Sequence, residues 1–271
     1  MKLHPVSILI LFTVLASAHG AEPSRCLEAL GSSGVSRDGT PIYGYRVVER
    51  YRHDAMAFTQ GLLLRDGDLY ESVGLYGHSE LRRVDLASGD VLNRQPLAKS
   101  RFGEGLASDG RRLVQLTWRA GEGLIYRLSD LEPLGRFSYS GEGWGLAFDG
   151  RQFLLSDGTA KLRFLHGQSL EEQGEVEVHD GCGPVRLLNE LEVINGKVWA
   201  NVWMTDYLLV ADPGDGRVLA WVDLSGLLAA EDRNPNTDVL NGIAYDPADR
   251  SLLLTGKRWP WLYRVRLRAR R

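Results

Sequence analysis

The stretch RFGEGLASDG, residues 101–110, places the carboxylate of Glu104 between two glycines at the start of an apolar run. Variants of this phrase occur at four other places in the chain, with a different residue in place of the acid. When the phrases are aligned on the glycine that follows or its equivalent, one position, here called the first-strand set, holds Gln60, Glu104, Trp144, Asn189 and Asn241. None of these is a small aliphatic residue, so the position is a candidate for binding or catalysis.

A second set of residues lies where the strand after each phrase is expected to end. This second-strand set comprises Gly74, Trp118, Gly158, Trp203 and Lys257. Together the two sets supply one acid, one lysine, three amides and three tryptophans, which suits a concave aromatic pocket with a few convergent polar groups. In the alternative interpretation the polar residues satisfy one another in a channel, and the tryptophans join neighbouring sheets.

The chemistry that suits this composition is proton transfer. A single carboxylate among tryptophans fits a small, neutral, amide-like substrate, because desolvation raises the pKa of the acid toward the working pH. A metal site would require clustered histidines, cysteines or carboxylates. The histidines are scattered over loops and are expected at the surface, namely His53, His78, His166 and His179. We therefore predict neither a metal site nor a cofactor.

Two other functions fit the same residues. A glycoside-cleaving enzyme requires two facing carboxylates, and Glu71 or Asp157, on second strands, could supply a partner for Glu104. A non-catalytic protein could bind a peptide terminus or a sugar at the same place. The sequence has no G-x-S-x-G motif and no phosphate-binding glycine loop.

The five phrases also predict the elements that position these residues. They begin at Phe58, Phe102, Glu142, Leu187 and Val239, and each reads as an apolar strand, a tight turn and a second apolar strand. A spacing of roughly 40–50 residues is typical of the four-stranded blades of a propeller. We predict an all-β fold, a five-bladed β-propeller, in which both sets lie at one end of the central axis.

The ends of the chain predict how the ring closes. The last repeat stops one strand short, and residues 44–53 read as the missing strand, which we expect to pair with the last blade. Closure would remove an exposed sheet edge. Residues 223–234 are expected to form a short surface helix before the last blade.

The first residues are typical of an export signal. Lys2 precedes an apolar run from Val6 to Ala16, so residues 1–21 are predicted to be a signal peptide with cleavage near 18–21. A tail, 22–42, and one propeller domain, 43–271, would follow. The formal net charge of −3 favours neither nucleic acid nor an anionic membrane as partner. We expect an exported monomer, periplasmic or secreted, that does not bind membranes.

Two cysteines remain in the predicted mature chain, Cys26 and Cys182. In an oxidising compartment such a pair can form a disulfide that ties the tail to the body of the protein. Unpaired thiols are the alternative, and the sequence leaves both open.

Several of these stretches resemble the glutaminyl-peptide cyclotransferases of the plant and bacterial type. The resemblance runs in order from about Tyr45 to Leu267 and includes FTQGL, FGEGL, GWGLAFDG, RLLNELE, VWANVW, TDVLNGIAYD and TGKRWP. It implies a five-bladed propeller that cyclises the N-terminal glutamine of peptides or proteins to pyroglutamate and releases ammonia, without zinc.

The resemblance also implies roles for individual residues. Glu104 matches the acid that moves the proton, and Lys257 matches a lysine near the carbonyl that could stabilise developing negative charge. The matching substrate-binding residues are Phe58, Gln60, Trp118, Trp144, Asn189 and Trp203. All except Phe58 belong to the two sets found by internal alignment, so the two lines of reasoning agree.

Overall fold

The computed structural model describes residues 24–27 and 34–270, and the predicted signal peptide lies outside these residues. The described part contains 22 strands and two 3-10 helices, Arg25–Leu27 and Ala230–Asp232. The prediction of an all-β fold is confirmed. No helix in the described ranges has the length and hydrophobicity needed to cross a membrane.

The strands follow one another in consecutive groups of four after an initial strand, β1 (Ile42–Arg52). The first sheet consists of β2 (Thr59–Arg65), β3 (Asp68–Val73), β4 (Glu80–Asp85) and β5 (Val91–Pro96). The second consists of β6 (Gly103–Ser108), β7 (Arg112–Thr117), β8 (Glu122–Arg127) and β9 (Pro133–Ser138). The third consists of β10 (Leu146–Phe148), β11 (Gln152–Ser156), β12 (Lys161–His166) and β13 (Glu172–Glu177).

A short hairpin, β14 (His179–Asp180) and β15 (Gly183–Pro184), precedes the fourth sheet. That sheet consists of β16 (Leu188–Ile194), β17 (Lys197–Val202), β18 (Tyr207–Ala211) and β19 (Val218–Asp223). The last strands are β20 (Leu240–Asp246), β21 (Ser251–Gly256) and β22 (Trp261–Ala269). β1 pairs antiparallel with β22 from Tyr43 opposite Ala269 to Arg52 opposite Trp261, and it also makes a short parallel contact with β19.

The first strands of the sheets contact one another in a closed order. β2 contacts β6, β6 contacts β10, β10 contacts β16, β16 contacts β20, and β20 contacts β2. Glycine permits this close approach. A Cβ atom on Gly61 would lie 2.6 Å from the amide nitrogen of Leu106, and one on Gly105 would lie 2.5 Å from that of Leu146. These glycines of the repeated phrases therefore let neighbouring strands come together.

The structure decides two predictions: the pairing of the cysteine in the tail and the helix over 223–234. Cys26 and Cys182 form a disulfide, which decides between the two alternatives that the sequence left open. The predicted helix over 223–234 is wrong except for the single 3-10 turn at Ala230–Asp232. Gly226 has φ +78°, a conformation incompatible with a right-handed helix, and Leu227 and Leu228 are buried.

Candidate functional site

The first-strand set lies at irregularities where the first strand of a sheet departs from regular pairing. The register of β6 with β7 shifts between Gly103 and Leu106, a bulge that contains Glu104. Corresponding register shifts contain the three amide residues of the set, Gln60, Asn189 and Asn241. A bulge re-aims side chains away from the regular alternation of a strand. Trp144 differs, because it precedes its strand, β10.

Backbone hydrogen bonds bring the second-strand set to the same end. The amide nitrogen of Trp118 donates to the carbonyl oxygen of Phe102, 3.0 Å away and two residues before Glu104. The equivalent bond joins Lys257 to Val239 at 2.9 Å. The structure therefore places the ends of the second strands beside the starts of the first strands, as the repeat alignment predicted.

Glu104 is buried, with 4% of its surface exposed, and it has an amide partner. Gln60 Nε2 donates to Glu104 Oε1 at 2.9 Å. Asn241 Nδ2 in turn donates to Gln60 Oε1 at 3.3 Å and to the carbonyl oxygen of Thr59 at 2.9 Å. This chain of hydrogen bonds orients Gln60 and leaves Glu104 Oε2 as the carboxylate oxygen that accepts no hydrogen bond from the described residues.

The aromatic rings at this end of the strands form two groups. The ring centroid of Phe102 lies 6.0 Å from that of Phe58 and 5.6 Å from that of Trp118. The rings of Trp144 and Trp203 meet edge to face at 5.4 Å. Phe102 was not among the predicted site residues, although one of the repeated phrases begins with it.

The glycines of the second-strand set make room for these rings. A Cβ atom on Gly74 would lie 2.4 Å from the ring of Phe102, and one on Gly158 would lie 2.7 Å from the indole of Trp144. Any larger residue at either position would collide with an aromatic wall. The tryptophans of the second-strand set are therefore candidate walls of the site, and its glycines leave room for the neighbouring rings.

Glu142 connects the two aromatic groups. One of its oxygens, Oε2, accepts from Trp118 Nε1 at 2.7 Å and from Trp144 Nε1 at 2.9 Å. Its other oxygen accepts from Arg119 Nε at 2.8 Å, and the Arg119 guanidinium lies over the Trp118 ring. Glu142 was not among the predicted site residues, and its only sequence signal is its place two residues before Trp144.

Burial dominates the electrostatics of the site. Desolvation raises the pKa of Glu104 well above its ordinary value, and the negative charge of Glu142 adds to this, while the positive charge of Lys257 opposes it. Desolvation lowers the pKa of Lys257, against the attraction of Glu104 and Asp238. Both groups are thus shifted toward their neutral forms, which suits an acid that must both accept and release a proton near neutral pH.

Two buried amide oxygens complete the polar lining. Asn189 and Asn241 are almost fully buried, and their Oδ1 atoms have no hydrogen-bond partner among the described residues. A buried carbonyl without a partner is costly, so each is suited to accept a hydrogen bond from a ligand. Lys257 Nζ, a cation when protonated, lies 4.9 Å from the centroid of Phe58.

The carboxylates proposed for glycoside cleavage are engaged elsewhere. Glu71 accepts from Arg82 Nε at 2.8 Å and from Thr59 Oγ1 at 2.6 Å, and it contacts His53 Nε2 at 3.0 Å. Asp157 accepts from the backbone and side chain of Thr159. The expectation that His53 lies at the surface is wrong, since 4% of its side chain is exposed and the buried carboxylate of Glu71 needs donors.

A further buried carboxylate, which the sequence did not single out, joins the inner strands. Glu190 accepts from the amide nitrogens of Leu62 at 3.2 Å and Ile243 at 2.8 Å, on β2 and β20. Burial raises its pKa well above the ordinary value. Its bonds to backbone on two other sheets indicate a structural function at the centre of the molecule.

A cavity of about 960 Å³ lies at the opposite ends of the first strands, and none of the predicted site residues lines it. Its acids include Asp109 and Asp246, which are bound to Arg112 and Arg264. The described residues contain one cluster of three metal-donor side chains, Cys26, Asp180 and Cys182, and its two sulfurs form the disulfide. The cavity therefore lies apart from the site around Glu104, and the disulfide accounts for the sulfurs of the cluster.

Comparisons with known proteins identify the family to which the sequence and the fold are similar. The sequence model of a family described as "Glutamine cyclotransferase" matches residues 18–267. A protein of Arabidopsis thaliana named "Glutaminyl-peptide cyclotransferase" is 43% identical over 244 residues, which cover 88% of this chain and 76% of that protein. The crystal structure of Myxococcus xanthus glutaminyl cyclase matches with a TM-score of 0.78 at 37% identity, over 83% of this chain and 97% of that one.

Proposed function

The chain belongs to the glutamine cyclotransferase family, and from this premise we propose that it converts the N-terminal glutamine of peptides and proteins to pyroglutamate with release of ammonia. The observation that carries the proposal is a buried carboxylate, Glu104, at the end of the strands where Trp118, Trp144 and Trp203 also lie. Its raised pKa and free Oε2 atom suit the transfer of a proton within one substrate molecule.

The first step is deprotonation and attack. Glu104 Oε2 accepts a proton from the α-ammonium group of the substrate, and the freed amine attacks the carbon of the side-chain amide. A bond forms between the α-nitrogen and that carbon, and the amide oxygen acquires negative charge. Lys257, at the same end of the molecule, would stabilise this oxygen as it becomes an anion.

The second step is loss of ammonia. Glu104 returns the proton to the amide nitrogen and takes the second proton from the attacking nitrogen; the carbon–nitrogen bond breaks, and ammonia leaves while the carbonyl of the new ring re-forms. The proton left on Glu104 then passes to solvent, which restores the carboxylate. One group thus serves as base and then as acid, without an external nucleophile. Positioned proton transfer of this kind contributes roughly 10²–10⁴-fold to the rate.

The aromatic walls and amides hold the substrate for this reaction. The glutamine side chain must fold back on its own amine, and a tight aromatic slot favours that conformer over extended ones. In this proposal Phe58 contributes a wall, and Gln60 and Asn189 hydrogen-bond the substrate's polar groups. None of these steps needs a metal ion, so we expect turnover to continue in a chelator, and loss of turnover that zinc restores would contradict this.

We interpret the architecture as a five-bladed β-propeller closed by β1. The closed order of contacts among the five first strands and the pairing of β1 with β22 support this interpretation. We further propose that residues 1–21 direct export, to the periplasm or the medium, and that the mature enzyme is a monomer. The disulfide supports an oxidising compartment.

The test is mass spectrometry of a peptide with N-terminal glutamine after incubation with the protein. We expect loss of one ammonia, and no loss from the same peptide with an acetylated N-terminus, because its nitrogen cannot attack. Tight binding without loss of ammonia would instead indicate a non-catalytic protein that captures peptide termini.

A further inference from the structure

Glu142 holds two tryptophans of the proposed site by hydrogen bonds. Its Oε2 atom accepts from the indole nitrogens of Trp118 and Trp144, which come from consecutive sheets. A single oxygen therefore fixes the relative orientation of two rings that the chain brings in separately. Arg119 binds the other oxygen and also packs on the Trp118 ring, which closes the arrangement.

The surroundings of Glu142 indicate a functional placement. Its side chain is 33% exposed, so it does not belong to the hydrophobic core. Burial alone would raise its pKa, but hydrogen bonds from Trp144, Arg119 and Trp118 hold the pKa below its usual value. The group is therefore an anion when it accepts the indole N–H bonds, and such charge-assisted bonds are stronger than neutral ones.

We propose that Glu142 is a positioning residue of the cyclisation reaction: it aligns the indoles of Trp118 and Trp144 so that the walls hold glutamine in its folded conformer. This inference rests on the proposed function. Tryptophan indoles without a partner could rotate about their side-chain torsions, and a pocket that fits a single conformer depends on their orientation. Small misplacements of such positioning groups cost roughly 100-fold in rate.

The charge of Glu142 has a second consequence at the reacting carboxylate. The charged or titratable groups that act on Glu104 are Glu142 from the loop before β10 and Lys257 from the end of β21, and the phenol of Tyr139 lies within its influence. Glu142 raises the pKa of Glu104 and Lys257 lowers it. Removal of the Glu142 charge should therefore move the pKa of Glu104 downward.

The experiment compares Glu142→Ala and Glu142→Gln with a matched surface variant, Glu132→Gln, in which the altered residue is exposed just before β9. We expect kcat/KM for a Gln-initiated peptide to fall roughly 10- to 100-fold in Glu142→Ala. Glu142→Gln should lose less, since its amide oxygen still accepts, and Glu132→Gln should match the parent.

Two further readouts separate positioning from a general structural effect. In a Trp144→Phe background, where the ring has no N–H group, the effect of Glu142→Ala should shrink, since the two changes remove the same hydrogen bond. In Glu142→Gln, the limb of the kcat/KM profile that reports Glu104 should move to lower pH. Near-ultraviolet circular dichroism checks that each variant is folded.

The outcomes distinguish this inference from the proposed function. Failure of the parent protein to release ammonia would contradict the function. An active parent with Glu142→Ala at the parental kcat/KM, or with a full effect of that variant in the Trp144→Phe background, would overturn the positioning role alone.

Discussion

Gln60 donates from Nε2 to Glu104 Oε1 at 2.9 Å, so one oxygen of the buried carboxylate is committed to a neighbouring sheet. Asn241 holds the opposite end of the Gln60 amide. In the mechanism that we propose, proton transfer therefore uses Glu104 Oε2, since the other oxygen already accepts a hydrogen bond. The same contacts link two amides of the first-strand set to the acid.

The first prediction concerns Glu104 itself. Glu104→Gln keeps the size and the hydrogen-bonding capacity of the side chain but cannot exchange a proton, so kcat should fall by roughly 10²–10⁴-fold while KM changes little. Steady-state kinetics on a Gln-initiated peptide measures both quantities. Turnover at the parental rate would rule out the assigned role.

We expect Lys257 to have two effects. Its positive charge lowers the pKa of Glu104, and in the proposed mechanism it also stabilises the negative charge that develops on the substrate's amide oxygen. Lys257→Met removes the cation that lowers the pKa of Glu104, so that pKa should rise. If catalysis uses the carboxylate as its base, the limb of the kcat/KM profile that reports Glu104 moves to higher pH. That limb is identified with two peptides whose amines differ in pKa, because it does not move between them. A shift to lower pH would contradict the prediction.

The buried pair of Glu71 and Arg82 should contribute to stability rather than catalysis. Glu71→Gln removes the most buried of the carboxylates that pair with Arg82 and leaves Asp54 and Glu80, so it should lower the free energy of unfolding by up to about 3–5 kcal/mol. Urea denaturation measures this. Glu175→Gln, which breaks the exposed pair with Lys161, is the control and should change stability little.

The same pair predicts a dependence of stability on pH. Burial would raise the pKa of Glu71, but the charges and hydrogen bonds of Arg82 and His53 hold it far below its usual value. A carboxyl group with a lowered folded-state pKa contributes stability above its unfolded pKa and loses it as the pH falls below about 4.3. The difference between parent and Glu71→Gln should therefore narrow in acid, and a constant difference would contradict the assignment.

Because the inner strands approach closely, we expect substitution of Gly105 to destabilise the protein and substitution of Gly135 to be tolerated. A Cβ atom on Gly105 would collide with backbone of β10, so Gly105→Ala should lower the free energy of unfolding by about 1–3 kcal/mol. A Cβ atom on Gly135 of β9 would meet no other atom within 4 Å, so Gly135→Ala should have little effect. Equal effects of the two substitutions in urea denaturation would show that strand approach is not the reason for Gly105.

The repeated phrases predicted most of the strands because each phrase is a pattern of residues that lie close together in the sequence. Alternating apolar residues and a tight turn specify two paired strands without information from distant parts of the chain. The phrases therefore predicted an all-β protein, and their alignment selected seven of the eight predicted site residues. The prediction of a helix over 223–234 was wrong because Gly226 has a backbone conformation that a right-handed helix excludes.

Other features depend on residues that are distant in sequence. In the sequence, Glu142 cannot be distinguished from an ordinary surface acid. In the structure, Trp118, from the preceding sheet, donates to the same oxygen as Trp144. His53 reads as a loop residue until Glu71 is buried beside it. Likewise, the two cysteines are equally consistent with a bridge or with free thiols until the fold brings them together.

The sequence by itself determined the strands, the repeat, and the residue types at the equivalent positions, because period and turn chemistry act between near neighbours in the chain. Only the tertiary structure decided which oxygen of Glu104 is free, which carboxylates are bound elsewhere, and how Glu142 joins two walls. Those properties arise from burial and from contacts between sheets, and the free energy of a buried charge depends on every group around it.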